Sequence, residues 1–495
     1  MERSISKSKY FYINGAGEIP VPIPNTEVKP QQKPIILRKR ETRKVPNYKK
    51  PLVNTSGLFF WCYNIYGMSE ENRKTLEIYE KFGKNYLDNT KYRNSLKQKE
   101  VDEENKKAIL DGFSRLGKHA RILEIGAGGG EASLMAKKLG FKIYASDVPE
   151  YFLNEIRSKG LPCYKFNVLT DDLDGRKFDG VMAFRVFPHF NPDDLEVALN
   201  RVYKLLRPGG RFVGSMINIE DKKVQDGWYD FPGKYHIGAE RYFYYYSLAE
   251  IEDAFKKAGF LLDEMNIRGG DSGKRWFEFV LTKPSGVNSE IAKYIEDNIL
   301  PEYKKLPGHT DVHINQVISR SLAFAEDLPE IDINMVYVIA AYHDLGRLVD
   351  DDAHNLISGE MMRNDEKLRD FFSEAEIETM AEAVEDHRAS LKGDPRSIYG
   401  KIVSSADRNV DVDDMLARSY DCAVGLYPDK TEDERIEIAR TWLYEKYRPD
   451  GYAVKKIYFS TPDDKECFEK IGEITKDPLT YRKIARMFNK QRGVR

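Results

Sequence analysis

The sequence predicts an α/β domain with a doubly wound, mostly parallel sheet, followed by an all-α domain. Three observations predict this. Between about residues 120 and 283, short apolar runs with strand character alternate with helical stretches, the order from which crossover-connected parallel sheets are built. After Lys283-Pro-Ser-Gly286 the strand-like runs stop, and helical periodicity alone continues from Ile291 to the C-terminus. A chain of 495 residues is also too long for one hydrophobic core, and about one domain per 100–200 residues gives two or three.

Residues 1–60 read as a basic, proline-rich arm. They include the run Leu37-Arg-Lys-Arg-Glu-Thr-Arg-Lys44 and keep neither a period of 2 nor one of 3.6. A solvated tail, or a strand lying on the next domain, suits this segment better than an arm gripping phosphates. Helical patterning starts near residue 70, with Leu76, Tyr79 and Phe82, and resumes at Ala108, Ile109 and Phe113. Ala120–Ile125 is the first expected strand, followed by a glycine loop and a helix over Glu131–Leu139. Lys142–Ser146 is the second, followed by a helix over Tyr151–Ser158. Gly180–Phe184, Arg211–Met216 and Trp276–Leu281 are further strands, with helices at Asp193–Leu206 and Leu248–Ala258. An aromatic insertion holding Trp228, Tyr229, Tyr235, His236 and Tyr242–Tyr246 reads as a cover over substrate or as aromatic core under a helix. The expected domains are therefore 61–285 and 286–495, the latter ending in a helical extension.

Composition narrows the function class. A net charge of −2 with 32% charged residues carries no global basic signature for nucleic acid and no acidic signature for disorder. Cys62, Cys163, Cys422 and Cys467 are scattered without CxxC spacing, which argues against a disulfide framework or a thiolate zinc site. The N-terminus lacks a signal-peptide core, and the longest apolar stretch, Leu58–Tyr63, is far too short to span a bilayer. The expectation is a cytoplasmic protein with no membrane partner.

The glycine loop is Glu124-Ile-Gly126-Ala-Gly128-Gly-Gly130-Glu131, between a buried strand and a helix, where glycines let a ligand approach the backbone. A dinucleotide fingerprint wants glycine where Glu131 stands, which disfavours NAD. Asp147 ends the second strand about twenty residues on, where a carboxylate can accept both ribose hydroxyls. This region resembles class I S-adenosylmethionine-dependent methyltransferases, a Rossmann-like family whose first motif is an acid followed by GxGxG. The resemblance continues in order to about residue 283, through Lys165-Phe-Asn-Val168, Phe178–Phe190 and Val202–Val213 with its Pro-Gly-Gly turn. It implies that Glu124 orients the methionine end of S-adenosylmethionine through its ammonium. Gly126, Gly128 and Gly130 would form the loop, Asp147 would bind the ribose, and Asn167 would lie near the adenine where the family usually has Asp. His189, after the fourth strand, is a candidate base for a substrate hydroxyl. No Asn-Pro-Pro-Tyr, Asp-Pro-Pro-Tyr or Pro-Cys motif supports methylation of a base, so the expected acceptor is an O or N atom of a small metabolite.

Five of the eight histidines fall between positions 309 and 387. His313, His343-Asp344, His354, His387 and Asp407 form an ordered set, and each histidine stands at helical spacing from apolar residues. One inward histidine is more often a core residue than a ligand. Several in one helical domain reverse that balance, because burying them unpaired is costly. Imidazole with carboxylate suits a transition metal that activates water near neutral pH. The order resembles the HD-domain metal-dependent phosphohydrolases over about residues 286–420. By that resemblance His313, His343, Asp344 and Asp407 bind a divalent metal (Mn, Fe, Ni, Co or Mg), with Asp344 holding both metal and water. His354 and His387 would face a second metal or the substrate phosphate. Arg388 and Arg408 are candidate phosphate contacts, and His309 is a candidate orienting residue.

The resulting expectation is a bifunctional enzyme that transfers methyl groups from S-adenosylmethionine to a small molecule and hydrolyses a phosphorylated substrate. Linkage in one chain would raise the effective concentration of a shared intermediate. Two alternatives compete. The HD half could be a nucleotide-sensing, non-hydrolytic module that regulates the methyltransferase, or the first domain could methylate RNA held by the basic arm.

Overall fold

The computed structural model describes residues 67–89, 96–117, 119–218, 226–230, 236–269, 275–306 and 311–493. The expected basic arm, Tyr235 and His309 lie outside them. Strand β1 (Arg121–Ile125) is buried at every position, as a strand covered on both faces must be. It pairs in parallel with β2 (Lys142–Asp147) on one side and β4 (Phe178–Phe184) on the other. β3 (Cys163–Lys165), β5 (Leu206–Asn218), β8 (Leu261–Gly269) and β9 (Arg275–Thr282) complete a seven-stranded sheet of order β3-β2-β1-β4-β5-β9-β8, in which β9 runs antiparallel to its neighbours. Helices α3 (Glu131–Lys138), α4 (Glu150–Ser158), α5 (Pro192–Leu205) and α6 (Leu248–Lys257) make the connections, and α1 (Glu70–Asn89) and α2 (Leu96–Gly112) precede the sheet. The strand order reverses between β1 and β4, so a crevice opens there at the carboxyl edge.

Two sheet strands were not anticipated. β3 is three residues long and only partly buried, so it offers no apolar run. β8 is an edge strand with Leu261, Leu262 and Ile267 exposed, and a register shift between Leu262 and Glu264 breaks the alternation a sequence pattern needs. The aromatic insertion holds an antiparallel ladder of β6 (Gly227–Tyr229) with β7 (Arg241–Phe243) rather than a core beneath a helix. It packs by specific bonds: the Tyr246 hydroxyl donates to the Phe190 carbonyl at 3.0 Å, and the Tyr242 N–H donates to Thr75 Oγ1 at 3.1 Å.

From α7 (Ser289–Asn298) the described chain is helical: α8 (Asp311–Ala325), α9 (Ile333–Tyr342), α10 (His354–Arg363), α11 (Glu374–Glu385), α12 (Ile398–Ala406), α13 (Val412–Leu426), α14 (Glu432–Tyr447), α15 (Tyr452–Lys455), α16 (Pro462–Lys476) and α17 (Pro478–Arg492). One core joins α7–α12 around Tyr303, Ile339 and Met380. A separate core around Leu416, Ile436 and Phe468 joins α13–α17.

The helical region docks on the sheet edge where the parallel strands begin. Arg121, first in β1, pairs with Asp463 of α16 at 2.6 Å, and Arg176 binds Asp463 and Glu466. Asp179, second in β4, accepts from Arg207 at 2.6 Å, from the Arg121 N–H at 2.9 Å and from the Ser319 hydroxyl of α8 at 2.9 Å. Lys142 pairs with Asp411, and Lys283 pairs with Glu326. These contacts join the sheet and the helical region in one unit.

Candidate active site and metal centre

After β1 the backbone turns through Gly126 (φ 68°), Gly128 (φ 54°) and Gly130 (φ 79°), left-handed conformations that cost an ordinary residue about 1–2 kcal/mol. At Gly126 a Cβ would also collide with the Val186 side chain from the loop after β4. The Gly128 N–H donates to Asp147 Oδ2 at 2.7 Å and the Val148 N–H to Oδ1 at 2.8 Å, so the carboxylate ending β2 braces the loop beside it. Glu124, Gly126, Gly128 and Asp147 line a cavity of about 210 Å³, with Tyr79 and Tyr86 of α1 on its wall. Burial pushes Glu124 up to about 8 although the Ser133 hydroxyl donates to it. Burial likewise lifts Asp147 to about 6 against its two backbone N–H bonds. Two buried acids beside a glycine loop are short of positive charge, and a ligand carrying an ammonium and a sulfonium supplies it. The residues present fit S-adenosylmethionine.

Gly130 is not among the residues lining the cavity, and a Cβ there would press on Ile156 and Leu161. Asn167 does not reach the cavity. Its Oδ1 accepts the Leu169 N–H at 3.0 Å and its own N–H donates to Asp171 Oδ2 at 2.8 Å, so the side chain closes the turn after β3. His236 is exposed beside Asp230 and also lies away from it.

His189 does line the cavity. Its Nδ1 is 2.6 Å from the Tyr242 carbonyl, which only accepts, so Nδ1 carries the proton; Nε2 then accepts from the Tyr79 hydroxyl at 3.0 Å. That hydroxyl in turn accepts from Arg241 Nη1 at 3.2 Å. Burial lowers His189 to about 4. A neutral ring with both nitrogens engaged is poorly placed to abstract a proton and well placed to hold Tyr79. The sequence treated Tyr79 only as part of an apolar stripe, and nothing in its spacing marks it as a partner of His189 or Arg241.

The histidines of the helical region converge from four helices. His313 lies in the first turns of α8, His343 caps α9, His354 opens α10 and His387 lies two residues beyond α11, while Asp407 caps α12. Three of them repeat one local device: His343, His354 and His387 each place Nδ1 2.6–2.8 Å from the carbonyl three residues earlier, at Ala340, Asp351 and Val384. A carbonyl accepts only, so each Nδ1 carries a proton and each Nε2 is turned into the cluster. There the Nε2 atoms meet one another and the carboxylates. His354 Nε2 lies 3.3 Å from His387 Nε2, and His343 Nε2 lies 3.5 and 3.7 Å from the Asp344 and Asp407 carboxylates. Imidazole nitrogens and carboxylates so close together need positive charge between them, supplied by protons on Nε2 or by a metal ion.

The distances divide the cluster in two. Asp344 Oδ2 and Asp407 Oδ1 lie 3.3–3.7 Å from His313 Nε2 and His343 Nε2. Asp344 Oδ1 lies 3.2 Å from His354 Nε2 and 3.6 Å from His387 Nε2. Two ligand atoms on one ion with bonds of about 2.1 Å stand about 3.0–3.5 Å apart, so each half has the spacing of a metal site. Asp344 offers one oxygen to each, and two overlapping groups of candidate ligands share it. Electrostatics differ between the halves. Against the cost of burial, Asp344 and Asp407 raise His343 to about 10, whereas burial and then Arg347 hold His354 down at about 4.

Supporting residues surround this centre. Arg347 Nε lies 2.9 Å from Asp344 Oδ1. The Tyr303 hydroxyl donates to the Ala341 carbonyl and accepts the Asp344 N–H. Arg320 donates to the Ser405 and Ala406 carbonyls just before Asp407 and to both oxygens of Asp464 at 2.7 and 3.1 Å. Sequence reasoning passed over Arg320, yet a signal was present: it stands seven residues after His313, on the same face of α8, among apolar neighbours. Arg388, an expected phosphate contact, donates instead to the Asp352 carbonyl.

Residues 98–264 match the family model described as a methyltransferase domain, and residues 310–409 match that of the HD domain. The two domains that the motifs implied are thus present in the order expected. Solved structures similar to the chain include 1,6-didemethyltoxoflavin-N1-methyltransferase of Burkholderia thailandensis with bound 1,6-didemethyltoxoflavin and S-adenosylhomocysteine, at 19% identity, covering 43% of this chain and 90% of that one, with a TM-score of 0.34. Magnesium protoporphyrin IX methyltransferase of Synechocystis with bound S-adenosylmethionine has 13% identity, 43% and 98% coverage, and a TM-score of 0.33. An S-adenosylmethionine-dependent methyltransferase of Clostridium acetobutylicum has 16% identity, 40% and 99% coverage, and a TM-score of 0.32. No curated protein matches this chain.

Proposed function

We propose that the chain is a bifunctional enzyme: residues 61–285 transfer a methyl group from S-adenosylmethionine to an oxygen or nitrogen of a small metabolite, and residues 286–495 hydrolyse a phosphoester with two divalent metal ions. The observation that carries the first activity is the pairing of Glu124 and Asp147 across a glycine loop at the carboxyl edge. Glu124 would meet the ammonium of the donor and Asp147 its ribose, with Tyr79 and Tyr86 of α1 walling the cavity. Methyl transfer is an in-line displacement that chiefly needs a nucleophile held at near-attack distance. In this reading Tyr79, fixed by His189 and Arg241, orients the acceptor, and His189 acts through it.

The observation that carries the second activity is the set of four histidine Nε2 atoms turned on shared carboxylates. His313, His343, Asp344 and Asp407 would hold one ion, and Asp344, His354 and His387 the other. Bound there, divalent ions activate water and polarise a phosphoryl oxygen. Asp344 would be shared by both ligand groups, Arg347 steadies that carboxylate, and the three back-bonded histidines keep Nε2 turned inward.

Metal analysis of full-length protein reconstituted with Mn²⁺ should find two equivalents. Asp344→Ala should hold less than one and lose phosphoester hydrolysis, while binding of S-adenosylmethionine by calorimetry stays unchanged. A metal-loaded wild-type protein inert towards monoesters, diesters and nucleotides would falsify the hydrolytic reading.

A further inference from the structure

Among the described residues that line the glycine-loop cavity, one carries a fixed positive charge. Asp102, Glu124, Glu131 and Asp147 bring carboxyl groups to the lining, against the single guanidinium of Arg185. Burial lowers His189 to about 4, so its ring adds no charge at neutral pH. Lys159 reaches Glu131 at 3.0 Å, but it is not a lining residue.

The backbone at Arg185 is also unusual. Directly after β4 it turns with φ 66°, in the left-handed region that an arginine rarely adopts. Of the other described non-glycine residues only His119 and Asp174 have a positive φ, and neither lines this cavity. Neighbours on two strands hold the bend. The Arg185 N–H donates to Ser215 Oγ of β5 at 3.2 Å, and Val186 beside it fills the space a Cβ at Gly126 would need. Strain that surrounding structure maintains at the wall of a cavity points to a role in binding.

Strand register brings this cation to the acid that precedes the glycine loop. Glu124 pairs with Met182 across β1 and β4, and past the sheet edge the two chains meet again where Gly126 faces Val186. Glu124 and Arg185 thus belong to adjoining strands, one acidic and one basic, and line one cavity. An α-amino acid carries its ammonium and its carboxylate on the same carbon. Whatever holds the ammonium at Glu124 therefore leaves the carboxylate close by, where the acids of the lining repel it and a guanidinium can receive it through two parallel N–H bonds. We propose that Arg185 receives the carboxylate of the methyl donor and makes the cavity selective for donors that retain that group. The assignment rests on the reading of this cavity as an S-adenosylmethionine site.

The test is calorimetric titration of the full chain with S-adenosylmethionine and with decarboxylated S-adenosylmethionine, which lacks only the carboxylate. The wild type should bind S-adenosylmethionine at least about tenfold tighter than the decarboxylated compound. Arg185→Asn, a residue that tolerates a left-handed backbone, should keep the thermal midpoint. It should weaken S-adenosylmethionine about ten- to a hundredfold and leave the decarboxylated compound unweakened. Arg185→Lys, which keeps the charge without the planar fork, should fall between Arg185→Asn and the wild type. Equal affinity of the wild type for the two compounds, or equal weakening of both by Arg185→Asn, overturns the proposal while the donor reading stands. A wild type that binds neither compound removes the donor reading, and this assignment with it.

Discussion

The two buried acids of the methyl-donor cavity make pH-dependent behaviour predictable at the residue scale. Glu124 titrates near 8 in the folded protein and near about 4.5 once unfolded. The folded state therefore binds the extra proton between these values, and the stability this group contributes below pH 4.5 is lost as pH rises towards 8. An ammonium beside Glu124 favours the ionised form, so binding of S-adenosylmethionine at pH 7 should release a proton. The calorimetric enthalpy should vary with the ionisation enthalpy of the buffer, an effect that fades above pH 8 and disappears in Glu124→Gln. His189 behaves oppositely: its folded value of about 4 lies below its unfolded one, so its contribution favours folding above pH 6.5 and is lost as pH falls towards 4. Glu124 and Asp147 line one cavity, and the expected histidines and aspartates converge, and a motif fixes the order of each group along the chain. Asn167 could not be judged that way, because whether an amide faces a ligand or closes its own turn depends on backbone bends that no spacing records.

At the scale of elements, α8 links the candidate metal centre to its supports. It presents His313 one way along its length and Arg320 two turns later, and Arg320 spans from Asp464 of α16 to the carbonyls before Asp407. Arg320→Met should leave Asp464 buried without its partner and cost about 3–5 kcal/mol in a urea denaturation series. It should also weaken metal binding, because Asp407 loses its brace; unchanged stability and metal affinity together would show that α8 carries His313 without organising the centre. Strands and helices with strong patterns were readable: β1, β2, β4, α5 and α6 fall within a few residues of their expected limits. β3 and β8 were not, the first too short to alternate and the second an edge strand with apolar residues left in water. The β6–β7 ladder escaped notice because its aromatic residues fit either a sheet or a core, and their partners lie in α1 and the loop after β4.

For the whole molecule, the ion pairs at the start of the strands determine how the chain melts. Arg121 and Asp179 are buried, and each is completed by groups from the helical region. Scanning calorimetry should accordingly show one cooperative transition for the full chain, and Asp463→Asn should lower its midpoint; two resolved transitions would show that the halves unfold independently. The docking edge has a further result. The helical half meets the sheet where β1 begins, at Arg121, whereas the glycine loop follows where β1 ends, at Ile125. At about 3.3 Å per residue, the four steps from Arg121 to Ile125 put about 13 Å of packed sheet between them, and the glycine-loop cavity and the histidine cluster lie beyond opposite edges. Any compound made at one centre and consumed at the other would have to pass through bulk water on the way. A scavenger added to the reaction would capture it, and the second step would lag behind the first. What the fusion guarantees is matched dosage, one copy of each domain per polypeptide, and not a private route between them.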